Sequence, residues 1–263
     1  MGPQVTVFFP HEHSLEHVLD GFVRAGAPRL GLPGSMLARE GSERCGSAAA
    51  AAGLEISHVS HGALFPLGEP TEWEEAAARA IQTLDGARAV GARCVYGATG
   101  PAMAMTWESA AEAFSAAIEP VVAHARASGI PLLIEPTNMV FADLGFVHTL
   151  RDAVDVARDA SLGVCLDVQH CWTERGLRDT IRNASGLIGL VQVSDYIPGR
   201  REPFRAVPGD GAIPLERIIA AVLEDGYTGL IDVEIYEEEG VDPADTIARA
   251  IDRVTGMLAR LGA

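Results

Sequence analysis

The sequence predicts a single (β/α)8 (TIM) barrel over residues 1–263, and three observations predict it. Short β-branched apolar runs alternate with longer helical stretches along the whole chain. Each run closes in Gly, Pro, Asn, Asp or His, and eight such alternations fit within the 263 residues. No Gly/Ser/Pro-rich tether divides them, because the longest biased run, Ser47 to Ala52, is alanine-rich and helical in character. A closed parallel barrel accommodates that number of units in one domain. A doubly wound open sheet, the competing architecture, rarely needs eight units in a chain this short.

The first strand is read over Val5 to Phe9 and closes at Pro10-His11-Glu12-His13. Ser14 then caps a helical pattern built on Leu15, Val18, Leu19 and Phe22. A weak second strand, Arg29 to Leu32, breaks at Pro33-Gly34 and is followed by one helix from Met36 to Ala52. The third strand, Glu55 to Val59, leads into Ser60-His61-Gly62, and a long helix from Glu72 to Val90 stops at Gly91. Cys94 to Tyr96 forms the fourth strand, and the helical stretch Trp107 to Ser128 is expected to kink or break at Pro120. The fifth strand is the apolar run Leu132 to Ile134, ended by Glu135-Pro136, because proline cannot continue a ladder. Helix Leu150 to Asp159, strand Gly163 to Asp167, helix Leu177 to Ala184 and strand Ile188 to Val193 follow. Helix Leu215 to Glu224, strand Gly229 to Glu234 and helix Pro243 to Leu261 complete the pattern.

Composition narrows the function classes. With 36 acidic and 20 basic residues the formal charge is −16, which disfavours non-specific binding to nucleic acid or to an anionic membrane. The N-terminus lacks a basic region followed by an apolar run, and no apolar stretch is long enough to span a bilayer, so the cytoplasm is the expected address. Cys45, Cys94, Cys165 and Cys171 show no C-x-x-C spacing and read as reduced thiols.

In a (β/α)8 barrel the chemistry sits at the C-terminal ends of the strands, so polar residues at that position converge. Here they are Glu135, Asp167, Gln192 and Glu234. A strand-end acid satisfied by an arginine or by water explains one or two of them but four badly. Carboxylates that close repel one another, and a bound divalent cation keeps several ionised. The set offers only oxygen, which suits a hard ion, Mg2+ or Mn2+, better than Zn2+. His170 follows Asp167 by three residues at the same rim, His61 ends the third strand, and His11 and His13 end the first. The polar loop Phe204 to Gly211, together with Arg200 and Arg201, brings positive charge beside the proposed mouth, and Arg205 is the arginine expected to meet a carboxylate or phosphate.

These residues resemble the xylose isomerase-like barrel superfamily, which includes sugar isomerases, ketose 3-epimerases, hydroxypyruvate isomerases, inosose dehydratases and family 2 AP endonucleases. The resemblance runs through Ile134-Glu135-Pro136-Thr137-Asn138, Leu166-Asp167-Val168-Gln169-His170, Val191-Gln192-Val193-Ser194-Asp195, the Arg205 to Gly211 loop and Val233-Glu234. It implies a metal held at Glu135, Asp167, Gln192 and Glu234, and substrate contacts from His170 and Arg205; His61 and Asn138 are the further residues expected to bind substrate. Position 192 is Gln where sugar epimerases and isomerases usually have His. An amide there also resembles some dehydratases, the 3-dehydroshikimate dehydratases among them. The acidic charge and the missing additional ligands argue against a trinuclear-zinc nuclease.

The expected function is a divalent-metal-dependent isomerase or epimerase of a small hydroxy-carbonyl sugar or sugar acid, acting through an enediolate with Glu135 or Glu234 as base. If His170 instead protonates a β-hydroxyl, the outcome is dehydration of a 3-dehydroshikimate or inosose type of substrate. A non-catalytic sugar-binding or partner subunit is a third reading, and homo-oligomerisation is left open. The apolar segment Met139 to Phe146 is read as a cover for the mouth, a subunit contact or ordinary packing.

Overall fold

In the computed structural model, which describes residues 2–8, 13–200, 205–236 and 240–263, eight strands run parallel in one sheet. They are β1 (Gln4–Phe8), β2 (Arg29–Pro33), β3 (Glu55–Ala63), β4 (Val95–Ala98), β5 (Leu132–Ile134), β6 (Gly163–Asp167), β7 (Ile188–Val193) and β8 (Leu230–Glu234). The order β1-β8-β7-β6-β5-β4-β3-β2 bends the sheet round until β1 and β2 lie side by side at the seam. With a helix on the outside between successive strands, this is the nearly closed (β/α)8 barrel that the alternation predicts.

The strands are buried on both faces, as a parallel sheet covered by helices must be. Outward residues such as Val164, Leu166, Ile231 and Val233 pack in the main core against the helices. Inward residues build the barrel's own filling: Cys94, Tyr96, Leu133, Cys165, Leu190 and Leu230 form a separate buried cluster inside it. On β8 the inward residues are spaced two apart, so Leu230, Asp232 and Glu234 climb from the apolar filling to the mouth.

Local differences from the sequence-based expectation have local causes. The helix expected over 36–52 is two, Gly34–Glu40 and Ser42–Ala51, because Gly41 turns the chain at φ 84°, a conformation open to glycine. β3 runs to Ala63 rather than stopping at Val59; Ser60, Gly62 and Ala63 pair with β4, and His61 stands at the register shift between them. Helix Trp107–Ser128 continues through Pro120 without a break; Pro120 sits on its exposed side, where water can satisfy the carbonyl left unpaired. The Ser14 cap forms as expected, its Oγ accepting from His17 N at 3.3 Å. The four cysteines are free and buried. Among the described residues no helix is long and apolar enough to cross a membrane.

Candidate active site at the barrel mouth

The strand ends deliver their polar residues to one cavity of about 300 Å³, lined on one side by Glu135, His170, Arg205 and Glu234 and on the other by Phe8, Ser60, His61 and Tyr96. Glu135 follows directly on β5, where its N–H donates to Gly97 O and keeps the chain in register with β4. Asp167 ends β6 and also caps the short helix Val168–Cys171, its Oδ1 accepting from Gln169 N at 2.8 Å. That single turn is what folds His170 back over Asp167, with 3.4 Å between His170 Nε2 and Asp167 Oδ2.

Arg205 arrives from the loop after β7. Asp195 builds that loop, pairing with Ala206 through backbone bonds and accepting from Tyr196 N, Gly209 N and Ile213 N with its carboxylate. The buried guanidinium then spans the site: Nη2 is 2.5 Å from Asp167 Oδ2, Nε is 3.3 Å from Glu234 Oε1 and Nη1 donates to Ser194 Oγ at 3.3 Å. Arg205 Nη2 is also 2.9 Å from His170 Nε2, while Asn138 Nδ2 is 3.0 Å from His170 Nδ1. Asn138 cannot turn its oxygen to the ring, because Oδ1 already accepts from Val140 N at 3.0 Å. Two donors therefore face an imidazole that, when neutral, has one acceptor nitrogen. One donor is surplus and available to another partner.

The electrostatics are those of crowded acids. Burial, with Glu234 and Asp167 close by, pushes the Glu135 carboxyl well above the ordinary carboxylate range. Burial raises Glu234 as well, to about 8, with Asp167 and Asp232 adding to the rise and Arg205 opposing it. Asp167 is driven up by burial too, but the Arg205 guanidinium and His170 outweigh this and leave it below its usual value. Burial lowers His170 to about 4 and His61 to about 4, so both imidazoles are neutral near pH 7. Arg205 is thus the one charged cation among the described residues lining the cavity.

Among the described residues, one oxygen of Glu135, one of Asp167 and one ring nitrogen of His170 lie within 4.8 Å of one another, close enough to share an ion. The donor set and the surplus of buried carboxylate over guanidinium fit a hard divalent cation. Gln192 is buried at the same level, but its amide nitrogen is the end turned to the acids: Nε2 donates to Glu234 Oε2 at 2.7 Å and to Asp232 Oδ2 at 2.9 Å, while Oε1 accepts from the Cys165 thiol at 3.0 Å.

The residues expected from the sequence are therefore brought together at Glu135, Asp167, His170, Gln192, Arg205 and Glu234, with Asn138 holding His170 from the side. His61 faces the same cavity from the opposite wall, its Nδ1 held 2.9 Å from Thr83 Oγ1. His13 does not line the cavity, its ring tilted against that of His17 with centroids 4.5 Å apart; His11 and Arg201 fall outside the described residues, and Arg200 does not line the cavity. In the Met139 to Phe146 segment, Phe141 and Leu144 line the mouth and Phe146 packs on Trp107, whereas Met139 is 74% and Val140 69% exposed.

Sequence reasoning missed Asp232, His58 and Tyr96. Asp232 had a readable signal, since it stands two residues before Glu234 on one strand and so shares its face. His58 had none, because either side of a doubly buried strand could have taken it.

Comparison with known proteins agrees with this fold. The model of the xylose isomerase-like TIM barrel family matches residues 22–257. L-ribulose-5-phosphate 3-epimerase UlaE of Escherichia coli K12 is 36% identical over 78 residues, 29% of this chain and 26% of the epimerase, so the match spans about a quarter of that relative. The structure of protein SMc04130 from Sinorhizobium meliloti 1021 superposes with a TM-score of 0.85 at 26% identity, covering 94% of each chain. The IolI protein with a zinc atom bound shares the fold at 14% identity, with a TM-score of 0.83 over 98% of this chain and 99% of that one. By the extent of the family match and the barrel that carries it, the chain belongs to the xylose isomerase-like TIM barrel family.

Proposed function

We propose that this protein is a divalent-cation-dependent isomerase or epimerase of a small hydroxy-carbonyl sugar or sugar acid. The observation that carries the reading is the convergence of Glu135 and Glu234 on a cavity of about 300 Å³, with Asp167 buried behind Arg205, their charged counterpart. The epimerase named among its relatives supports the substrate class, and the zinc in IolI supports a metal in this fold. Glu135, Asp167 and His170, whose ligand atoms lie within 4.8 Å of one another, would hold the cation, with Glu234 a further carboxyl group lining the same cavity, and Mn2+ or Mg2+ suits the oxygen donors.

When bound, the cation would supply Lewis-acid polarisation of a carbonyl oxygen. The chain's own groups do the rest. Glu135 or Glu234, raised in affinity for protons by burial, takes the proton from the carbon beside the carbonyl. Return of the proton to the same carbon from the other face gives epimerisation, and return to the neighbouring carbon gives isomerisation. Asn138 and Arg205, which together oversupply His170 with donors, can turn one donor to a substrate hydroxyl or carboxylate without leaving the imidazole unbonded. Phe141 and Leu144 exclude water from the mouth.

A dehydratase is the second reading, favoured by Gln192 at a position where sugar epimerases carry His. Proton-exchange NMR in D2O, with ketoses, hydroxypyruvate, inososes and 3-dehydroshikimate as substrates, tests both. Deuterium entering beside the carbonyl with Mn2+ or Mg2+ added, and none in metal-stripped protein, is expected. Turnover of 3-dehydroshikimate or an inosose with loss of water would select the dehydratase. Full activity in metal-stripped protein would overturn the proposal.

A further inference from the structure

Below the rim lies a carboxylate that the proposed chemistry does not use. Asp232 on β8 is fully buried; its Oδ2 accepts from Gln192 Nε2 at 2.9 Å and lies 3.4 Å from His58 Nε2, and its Oδ1 has no hydrogen-bond partner among the described residues. His58 is anchored from the far side: Nδ1 is 3.0 Å from Ser57 Oγ, which is 2.7 Å from Thr6 Oγ1 and donates to Leu30 O at 2.9 Å. Gly31 leaves the space for the ring, since a Cβ there would meet His58 Nε2 at 2.3 Å. The barrel thus keeps a carboxyl group deep in its filling, met from β7 by Gln192 and from β3 by His58.

What Asp232 touches is the amide of Gln192. The two ends of an amide have nearly the same shape and opposite hydrogen-bonding character. One end faces Asp232 Oδ2, Glu234 Oε2 at 2.7 Å and the Tyr96 hydroxyl at 3.1 Å, and the other takes the Cys165 thiol at 3.0 Å. The nitrogen is the end that faces the two acidic side chains, donating to both, and the oxygen is the end that accepts from the thiol. A cation on Glu234 would give that carboxylate a different partner, but it would leave the demand of Asp232 in place.

We propose that Asp232 is a positioning residue that keeps Gln192 a hydrogen-bond donor to the site, so that a cation is held by the carboxylates without the amide oxygen. This rests on the reading of the rim as a cation site, and it departs from the sequence-based expectation that Gln192 is itself a ligand. The general logic is that of an outer partner orienting a group next to a metal.

The test is a double-mutant cycle read in Mn2+ affinity, measured on metal-stripped protein by the loss of the free-ion electron paramagnetic resonance signal. Gln192→Met removes the amide at similar length and is expected to change affinity less than about threefold when Asp232 is present. In an Asp232→Asn background the amide is free to turn, and the same Gln192→Met change is expected to weaken Mn2+ about tenfold, within the 10–100-fold range of such partners. The comparison cancels the charge that Asp232→Asn itself removes. A tenfold loss on Gln192→Met with Asp232 in place, or no coupling between the two positions, overturns the proposal.

Should Asp232→Asn fail to fold, the otherwise intact protein carries the test. The S–H infrared band of Cys165, assigned by subtracting a Cys165→Ala spectrum, is expected to show a hydrogen-bonded thiol with and without Mn2+; release of that thiol on Mn2+ addition overturns the proposal. If Mn2+ does not bind at all, the cation reading fails, and the same band in metal-free protein then decides whether Asp232 still orients the amide.

Discussion

The two halves of the barrel mouth are built differently. From β5 to β8 the rim presents Glu135, Asp167, Gln192 and Glu234, with Arg205 laid across them. From β1 to β4 it presents Phe8, Pro33, Ser60, His61 and Ala98 to the same cavity, with no charged group among the described residues. One wall is organised to manage charge and protons, the other to be neutral and shaped. Each needs the other: acids gathered without a low-dielectric wall opposite would be hydrated and ordinary, and their raised proton affinity comes first from burial.

The contrast can be broken at the charged wall first. Glu234→Gln keeps the shape and the contact with Gln192 but removes one of the two candidate bases, and exchange of the substrate proton should fall by about 10²–10⁴ if Glu234 is the base. An activity close to that of the parent protein would show that Glu234 is a structural anion. Glu135→Gln separates the two acids: the one whose loss abolishes exchange while substrate still binds is the base.

Acid crowding also has a signature in stability. Glu234 titrates near 8 in the folded protein and near its ordinary value when unfolded, so between those values the native state holds a proton that the unfolded chain has released. The resulting stabilisation is full below the unfolded value and is lost as pH rises through about 8. Above about pH 7, where His61 and His170 are neutral in both states, metal-stripped protein should therefore melt at progressively lower temperature up to about pH 9, a change on the order of 1–2 kcal/mol. A melting temperature that rises over this interval would contradict the crowding.

The neutral half gives smaller effects. Gly31→Ala drives a Cβ to 2.3 Å from the buried His58 ring, and overpacking of this kind costs about 1–3 kcal/mol, read as a lower urea midpoint with unchanged slope. His61→Asn removes an imidazole that is neutral and held by Thr83, so it should raise KM several-fold with little change in kcat, a loss of about 1 kcal/mol of uniform binding. A kcat loss as large as that of Glu234→Gln would move His61 from binding into the chemistry and erase the distinction between the walls.

The carboxylates were legible in the sequence because each interrupts an apolar run at its end, as Glu135 does after Leu132-Leu133-Ile134 and Asp167 does after Val164-Cys165-Leu166. In a parallel barrel the end of a strand is a place as well as a position, so one-dimensional order translates into convergence. His170 was legible for a related reason, since one helical turn after Asp167 returns it to the same rim. Asp232 was readable only through Glu234, two residues on along the same strand, and His58 was hidden, because strands buried on both faces carry no alternation to say which residues point inward. The extension of β3 through His61 was hidden too: it depends on pairing with β4, a contact between residues far apart in the chain.

The sequence by itself determined the number of strands, their order along the chain and the acids at their tips, because apolar periodicity and turn chemistry are local and act residue by residue. Only the tertiary structure decided how those acids share their surroundings. It laid Arg205 across Asp167 and Glu234, and it turned the Gln192 nitrogen to Glu234 and Asp232. Those arrangements arise where strands distant in sequence enclose one volume, and proton affinity and hydrogen-bond direction are properties of that enclosure.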